Sequence, residues 1–461
     1  MGGGGAGRDH PRVLFVTSHA FNHLTGGGVT FSNLFQGWPR DRLATIHNDV
    51  VPTADDVCNR YYVLGRRELD LAPPLDRLRD LARGGRSDAS SGAGGLPQGN
   101  PQTAARQSGL MKQIALGLLG SAPPQRARLS AELAAWIDAY RPNILFTVLG
   151  SNAMMDLIEQ IRLGFRLPMV VHMMDDWPSA RPEPGAFGFS EWLKKRRRVV
   201  RHLKAATACL GISDAMCAAY EKRYGRPFLS VQNAVDIPRW QTKARRNAAI
   251  GKPPYKLLYV GSVYAFAQLQ SLVDLARAVG KLNDSGLRVE FEISSPAFLV
   301  APYRQDLEVH ESVKISEPME QDDVFYDRIA RADALVLPVN FDQRSVTFIR
   351  YSMPTKVPAY LSSGTPILVY GPRGVAQVDY AADSGWGLVV SERNDGNLAE
   401  ALRTILTDMP LRENLQSHAQ TVARNRHDAE TVRGLFQNAL IDAAGRAMPQ
   451  PAAPSLLTER K

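Results

Sequence analysis

The chain has 461 residues, too many for one ordinary core and enough for two α/β domains. Its hydrophobic fraction of 44% and charged fraction of 22% are those of a globular protein, and no apolar run approaches the roughly 18 residues that span a bilayer. A formal net charge of +9 leaves nucleic acid, an anionic membrane or an anionic substrate as partners to weigh.

The first residues, MGGGGAGRDHPR, lack the apolar core of a secretory signal, and Ala6 stands where N-myristoylation needs Ser or Thr. A strand is expected at Val13–Thr17, running into Gly26-Gly27-Gly28 and then a helix. Glycines there let an anion reach backbone N–H groups at a helix start, so Gly27 and Gly28 are candidate phosphate ligands; otherwise the loop is a tight turn. Further strands are expected at 43–46, 144–149, 169–172, 208–212 and 229–231, with a helix over 128–140. Residues 84–108 carry almost no core-forming side chains and read as a disordered insert, followed by LMKQIALGLL at 110–119, a short helix. Cys58, Cys209 and Cys217 are odd in number and lack paired metal spacing, which predicts reduced thiols in a cytoplasmic protein and no metal site.

After the strand at 169–172 comes HMMDDWP, which puts Asp175 and Asp176 at a strand's carboxyl end, where α/β sites gather. His172 either faces a cleft or caps a strand; Asp176 either orients a hydroxyl or caps a helix before Trp177-Pro178. Trp192 to Lys204 reads WLKKRRRVVRHLK, with Trp192, Val199, Val200 and Leu203 available to one side of a helix. This basic segment is either a solvated face or a surface that rests on phospholipid, where each cation adds roughly 1 kcal/mol. No aromatic platform or recognition-helix motif accompanies it, so nucleic acid is the poorest choice of partner.

Strand and helix signals pause across 236–255, a polar stretch with prolines, and resume with strands at 257–260, 289–293, 313–315, 334–339, 367–370 and 387–390. Helices are expected at 267–282 and 398–407. Pro354-Thr355-Lys356 opens a helical run, VPAYLSS, that Gly364 ends. Lys356 there joins a cation to a helix N-terminus, with Arg344 and Arg350 just upstream. The organisation expected is therefore a first Rossmann-like domain at 12–235, a second at 255–425, a C-terminal helix at 426–447 and a tail at 448–461.

Taken in order, GGGVTFSNL, HMMDDWP, GISDAM (211–216), VQNAVD (231–236), LLYVGSV (257–263) and PTKVPAYLSSGTPILVYGP resemble the GT-B glycosyltransferases, especially family-4-like retaining enzymes of bacterial polysaccharide pathways. The resemblance implies an α/β protein of two Rossmann-like domains facing across a cleft, with a nucleotide-sugar donor between them and no cofactor or metal. It implies transfer of the sugar to a hydroxyl of a lipid-linked or polysaccharide acceptor by a cytoplasmic enzyme, which the phospholipid reading of 192–204 would make peripheral at the inner face of a membrane. The sequence departs from the family where Ser262 replaces an arginine, and where Tyr351 and Ala359 replace a pair of glutamates. Donor binding is accordingly expected from Gly27, Gly28, Ser262, Arg344, Arg350, Thr355 and Lys356, and catalysis from His172, Asp175 and Asp176. Two other uses of the same scaffold are a nucleotide-sugar 2-epimerase and a non-catalytic binding protein.

Overall fold

The computed structural model describes residues 10–446 apart from 24, 50, 74, 78–123, 183–186, 245–248 and 320–321. The insert at 84–108, the run at 110–119 and the tail at 448–461 lie outside the described residues.

Runs of apolar residues buried on both faces form parallel strands, and two sheets of them organise the chain. The first contains β1 (Val13–Val16), β2 (Leu43–His47), β3 (Tyr61–Val63), β6 (Ile144–Thr147), β7 (Met169–Met173), β8 (Ala208–Gly211) and β9 (Leu229–Ser230), in the order β3-β2-β1-β6-β7-β8-β9. A two-stranded antiparallel sheet, β4 (Leu69–Leu71) with β5 (Gln125–Ala127), sits apart from it. The second contains β10 (Tyr255–Val260), β11 (Val289–Ser294), β12 (Val313–Ser316), β13 (Ala334–Pro338), β14 (Ile367–Tyr370) and β15 (Leu388–Val390), in the order β12-β11-β10-β13-β14-β15. Every adjacent pair in both larger sheets is parallel.

Strand order reverses beside β1 in the first sheet and beside β10 in the second. Crevices open at the carboxyl ends of strands where such reversals occur, so the topology marks the loops after β1 and β10 as the places for a ligand. Alternation along β1 sends Leu14 and Val16 to a core that continues into the second domain through Leu335, Val357 and Tyr360. Val13 and Phe15 face a separate aromatic core with Phe31, Phe35 and Phe146.

That second core is completed from far away. The helix Ala429–Ala444 comes at the C-terminal end of the described chain, yet packs on the first domain, placing Phe436 4.9 Å from Phe35 and 5.2 Å from Phe146, ring centre to ring centre. The chain is steered back there by main-chain bonds from Val235 N–H to His427 O (2.8 Å) and from Ala429 N–H to Val235 O (3.0 Å). The preceding helix, Met409–Arg426, packs instead on Val357–Ser363 of the second domain.

Candidate functional site

The three glycines after β1 do not form a loop. They are the first turn of the helix Gly26–Phe35, whose N-cap is Thr25. Thr25 Oγ1 accepts the Gly28 N–H at 3.2 Å, and Asn22 Oδ1 accepts the Thr25 N–H at 2.7 Å. This corrects the expectation for Gly28: its N–H is taken by the cap, and its missing Cβ makes room for the buried Asn22 carboxamide, which would stand 2.2 Å from that atom. Gly27 is different. A Cβ there would meet only the His19 ring, at 3.8 Å, so packing does not require glycine. The N–H groups of Gly26 and Gly27, in the first turn, have no partner within the helix. A Cβ on Gly26 would stand 3.6 Å from the Thr355 side chain, so the two domains meet here.

On the facing side, Lys356 is the N-cap residue of the helix Val357–Ser363, which ends on Gly364 at φ 73°. This helix leads into β14 rather than following a strand, so it does not occupy the place in its domain that Gly26–Phe35 occupies in the first. The matching place after β10 is taken by Gly261 and Ser262. Helix and loop nevertheless converge, because helices in such folds run antiparallel to the strands and start at their carboxyl edge. The Lys356 ammonium lies over the Tyr259 ring at 3.9 Å. Gly261 makes the space for it: the residue adopts φ 140°, and a Cβ there would stand 2.7 Å from Nζ. Tyr259 Oη donates to Ser262 O at 2.6 Å and Tyr360 Oη accepts the Val260 N–H at 2.9 Å, which locks loop and helix together. Burial lowers the Lys356 pKa to about 7, and no carboxylate pairs with it among the described residues. Arg344 is exposed in the helix Gln343–Ile349 and Arg350 half-buried at its end; neither forms an ion pair among the described residues.

The three residues of HMMDDWP separate. His172 is fully buried in β7, between Phe31 and Phe146 with ring centres 6.4 Å from each, and burial lowers its pKa to about 4. It therefore faces the core rather than the cleft, which removes it from contact with a substrate. Asp176 is also buried: its carboxylate accepts from Tyr220 Oη at 2.8 Å and from Arg223 at 2.8 and 3.2 Å. It holds the first domain together and is not free to act on a hydroxyl. Asp175 turns the other way, to accept the hydroxyl of Ser352 in the second domain. Its pKa is raised by burial and drawn back by that hydrogen bond. Arg223, Tyr259 and Gly261 were not singled out in the sequence; only Gly261, within VGS after an apolar run, carried a visible signal.

No protein-family model and no curated protein matches the sequence. Solved structures do match. Anabaena HepE, in complex with UDP and glucose, superposes with a TM-score of 0.57 at 13% identity, covering 94% of this chain and 99% of that one. An α,α-trehalose-phosphate synthase (UDP-forming) from Burkholderia vietnamiensis gives 0.55 at 12% identity, over 94% of this chain and 100% of its own. WaaG, a glycosyltransferase involved in lipopolysaccharide biosynthesis, gives 0.55 at 14% identity, over 94% and 100%. The chain has the GT-B fold. At these identities the likeness is one of architecture. In GT-B terms, the Lys356 cluster lies on the second domain's wall of the cleft and the Gly26–Gly27 helix start on the first's.

Proposed function

We propose that this protein is a glycosyltransferase that moves a sugar, of hexosyl type, from a nucleotide-sugar donor to a hydroxyl of a lipid-linked or polysaccharide acceptor with retention of configuration. One observation carries the reading: a lysine without a carboxylate partner is held at the strand-reversal point of one GT-B domain, opposite a helix start whose glycine has no packing reason to be glycine. A departing nucleoside diphosphate gains negative charge as the bond from its oxygen to the anomeric carbon breaks. A cation and two backbone N–H groups aimed at that oxygen stabilise the charge where it develops. The acceptor hydroxyl attacks the anomeric carbon from the face the diphosphate leaves, and its proton passes to the departing phosphate oxygen. This route needs no protein base, in keeping with the burial of His172 and the ion-pairing of Asp176. The structures of HepE with UDP-glucose and of WaaG, named for lipopolysaccharide synthesis, favour the same donor and acceptor classes.

The helix Gly188–Ala205 supports an acceptor that is presented at a membrane. Lys194, Arg197, Arg201 and Lys204 are exposed at helical spacing along one stripe, and Phe189, beside its N-terminal end, is 65% exposed. Anionic lipid at the inner face of the membrane fits this stripe, which makes the protein peripheral; no described helix is long and apolar enough to cross a bilayer.

The test is incubation with UDP-, GDP-, ADP- and CMP-sugars followed by NMR. Transfer or slow donor hydrolysis is expected. A 2-epimerised donor would replace this reading by an epimerase, and thermal stabilisation without turnover would replace it by a binding role. Lys356→Ala is expected to fold and to bind the active donor at least tenfold more weakly, since a charge-assisted contact is worth roughly 1.5–3 kcal/mol. Gly27→Val, which has room, is expected to lose donor affinity from the opposite wall; wild-type affinity in both variants would remove the site.

A further inference from the structure

Three consecutive residues just before Lys356 are gripped by the other domain. Ser213, in the turn after β8, donates its hydroxyl to Tyr351 O at 2.8 Å. Asn233, in the turn after β9, donates Nδ2–H to Met353 O at 2.9 Å. Between them, Ser352 donates its hydroxyl to Asp175, at the end of β7. The gripping side chains are themselves fixed within the first domain. Ser213 Oγ caps the helix Asp214–Tyr224 by accepting the Met216 N–H at 3.1 Å. Asn233 Oδ1 lies 3.0 Å from the Thr30 hydroxyl, and its carbonyl accepts Nδ1–H of buried His427 at 2.8 Å. That assignment leaves His427 Nε2 to accept from Tyr380 Oη at 3.1 Å, so the ring is fully satisfied as a neutral imidazole.

The gripped segment is held far less by its own domain. Its own main-chain bond there is Ser352 N–H to Ile349 O, with Ala376 N–H to Arg350 O and Val357 N–H to Pro354 O flanking it on either side. Among the described residues, the carbonyls of Tyr351 and Met353 find these partners across the cleft and not within their domain. The seam is tight. The void among Thr30, Asn33, Asn233 and Thr355 is about 20 Å³, room for one water. Two preset donors and one preset acceptor on the first domain, facing two unmet carbonyls and a hydroxyl on the segment, make a contact that forms as a unit or not at all.

We propose that Asp175, Ser213 and Asn233 are positioning residues that latch the segment 351–353 and thereby set Lys356, so that the donor site is assembled only when the two domains are closed. The donor part of this statement rests on the reading of Lys356 given above; the latch itself does not. It makes the first domain a builder of the second domain's phosphate site, not simply the wall that carries the acceptor.

The experiment uses the full chain with Ser213→Asp and Asn233→Asp, singly and together. Aspartate still serves as a helix cap at 213 and still offers Thr30 an acceptor at 233, but neither variant can donate across the cleft. Amide hydrogen exchange across residues 350–357 is read by mass spectrometry, with strand β1 as the internal control. Binding of the nucleoside diphosphate that stabilises the wild type most, among UDP, GDP and ADP, is read by calorimetry. In the double variant we expect exchange at 350–357 to quicken at least tenfold with β1 unchanged, and the Kd to rise about tenfold. Unchanged exchange at 350–357 in a folded double variant overturns the latch. Faster exchange with unchanged affinity keeps the latch and overturns Lys356 as the donor's ligand. If the double variant does not fold, Ser352→Ala, which removes only the central hydroxyl, is expected to quicken the same amides about threefold; no change there overturns the latch.

Discussion

A lysine that is half out of water with no carboxylate beside it works against the fold, and Lys356 shows in which direction. Its folded pKa is about 7 against 10.5 in the unfolded chain. Below pH 7 the group is charged in both states and the full burial cost stands. Between pH 7 and 10.5 the unfolded chain holds more protons, so stability from this residue rises with pH and the cost vanishes above that range. Lys356→Met should therefore melt higher than the wild type at pH 6, with the gain shrinking toward pH 10; a gain that is flat with pH would contradict the assignment. A bound diphosphate reverses the effect by restoring the proton. Donor binding at pH 8 should take up close to one proton, measured by calorimetry in buffers of different ionisation enthalpy, and the uptake should disappear in Lys356→Met. A second residue-scale prediction concerns Arg223. Removing it leaves Asp176, with its side chain 2% exposed, as a buried carboxylate with only Tyr220 for company. Arg223→Met should cost about 3–5 kcal/mol in a denaturant titration. Sequence reading singled out Lys356 as a helix-start cation, because Pro-Thr-Lys before a helix is a local pattern. It did not separate Asp175 from Asp176, because adjacent residues at a strand end point to opposite sides, one across the cleft and one to the core.

Among the elements, the helix Gly188–Ala205 divides cleanly. Val199, His202 and Leu203 are buried, while Lys195 lies over Trp177 at 4.3 Å and Arg198 pairs with Asp156 at 2.5 Å. Those two cations are occupied within the fold, and Lys194 pairs with Glu191 at 2.7 Å while its side chain stays exposed, so a membrane face falls to Arg197, Arg201 and Lys204 with Lys194 at its edge. Replacing these four by glutamate should abolish sedimentation with anionic vesicles while donor hydrolysis continues; equal sedimentation would remove the lipid from the proposal. The twelve strands read from apolar runs all exist, within a residue or two at their ends. Those runs were legible because a parallel strand covered on both faces is apolar throughout. The three that escaped, β3, β4 and β5, are short and partly exposed, so no run of core residues announces them. The glycine run was misjudged for a related reason: Gly28 serves the packing of Asn22, a contact with a residue outside the pattern.

For the molecule as a whole, the helix Ala429–Ala444 matters most. The sequence marks a helix there but not where it docks, because Val432, Phe436 and Leu440 would cover any apolar face. In the fold they close the aromatic core around Phe35 and Phe146. Ending the chain before residue 428 should strip the first domain of that cover and lower its melting temperature sharply, with dye-binding apolar surface exposed, while the second domain keeps its own core. Phe436→Ala should cost about 3–5 kcal/mol, measured by urea unfolding.

This arrangement also has a consequence in time. On a ribosome adding roughly 5–20 residues each second, the first domain's sheet is finished about ten to forty seconds before the helix that covers it emerges. During that interval Phe35 and Phe146 stand open, and the domain translated first is the last to close. A chaperone that binds aromatic surface should crosslink to nascent chains that stop between residues 240 and 420, and should let go once residue 445 has cleared the tunnel.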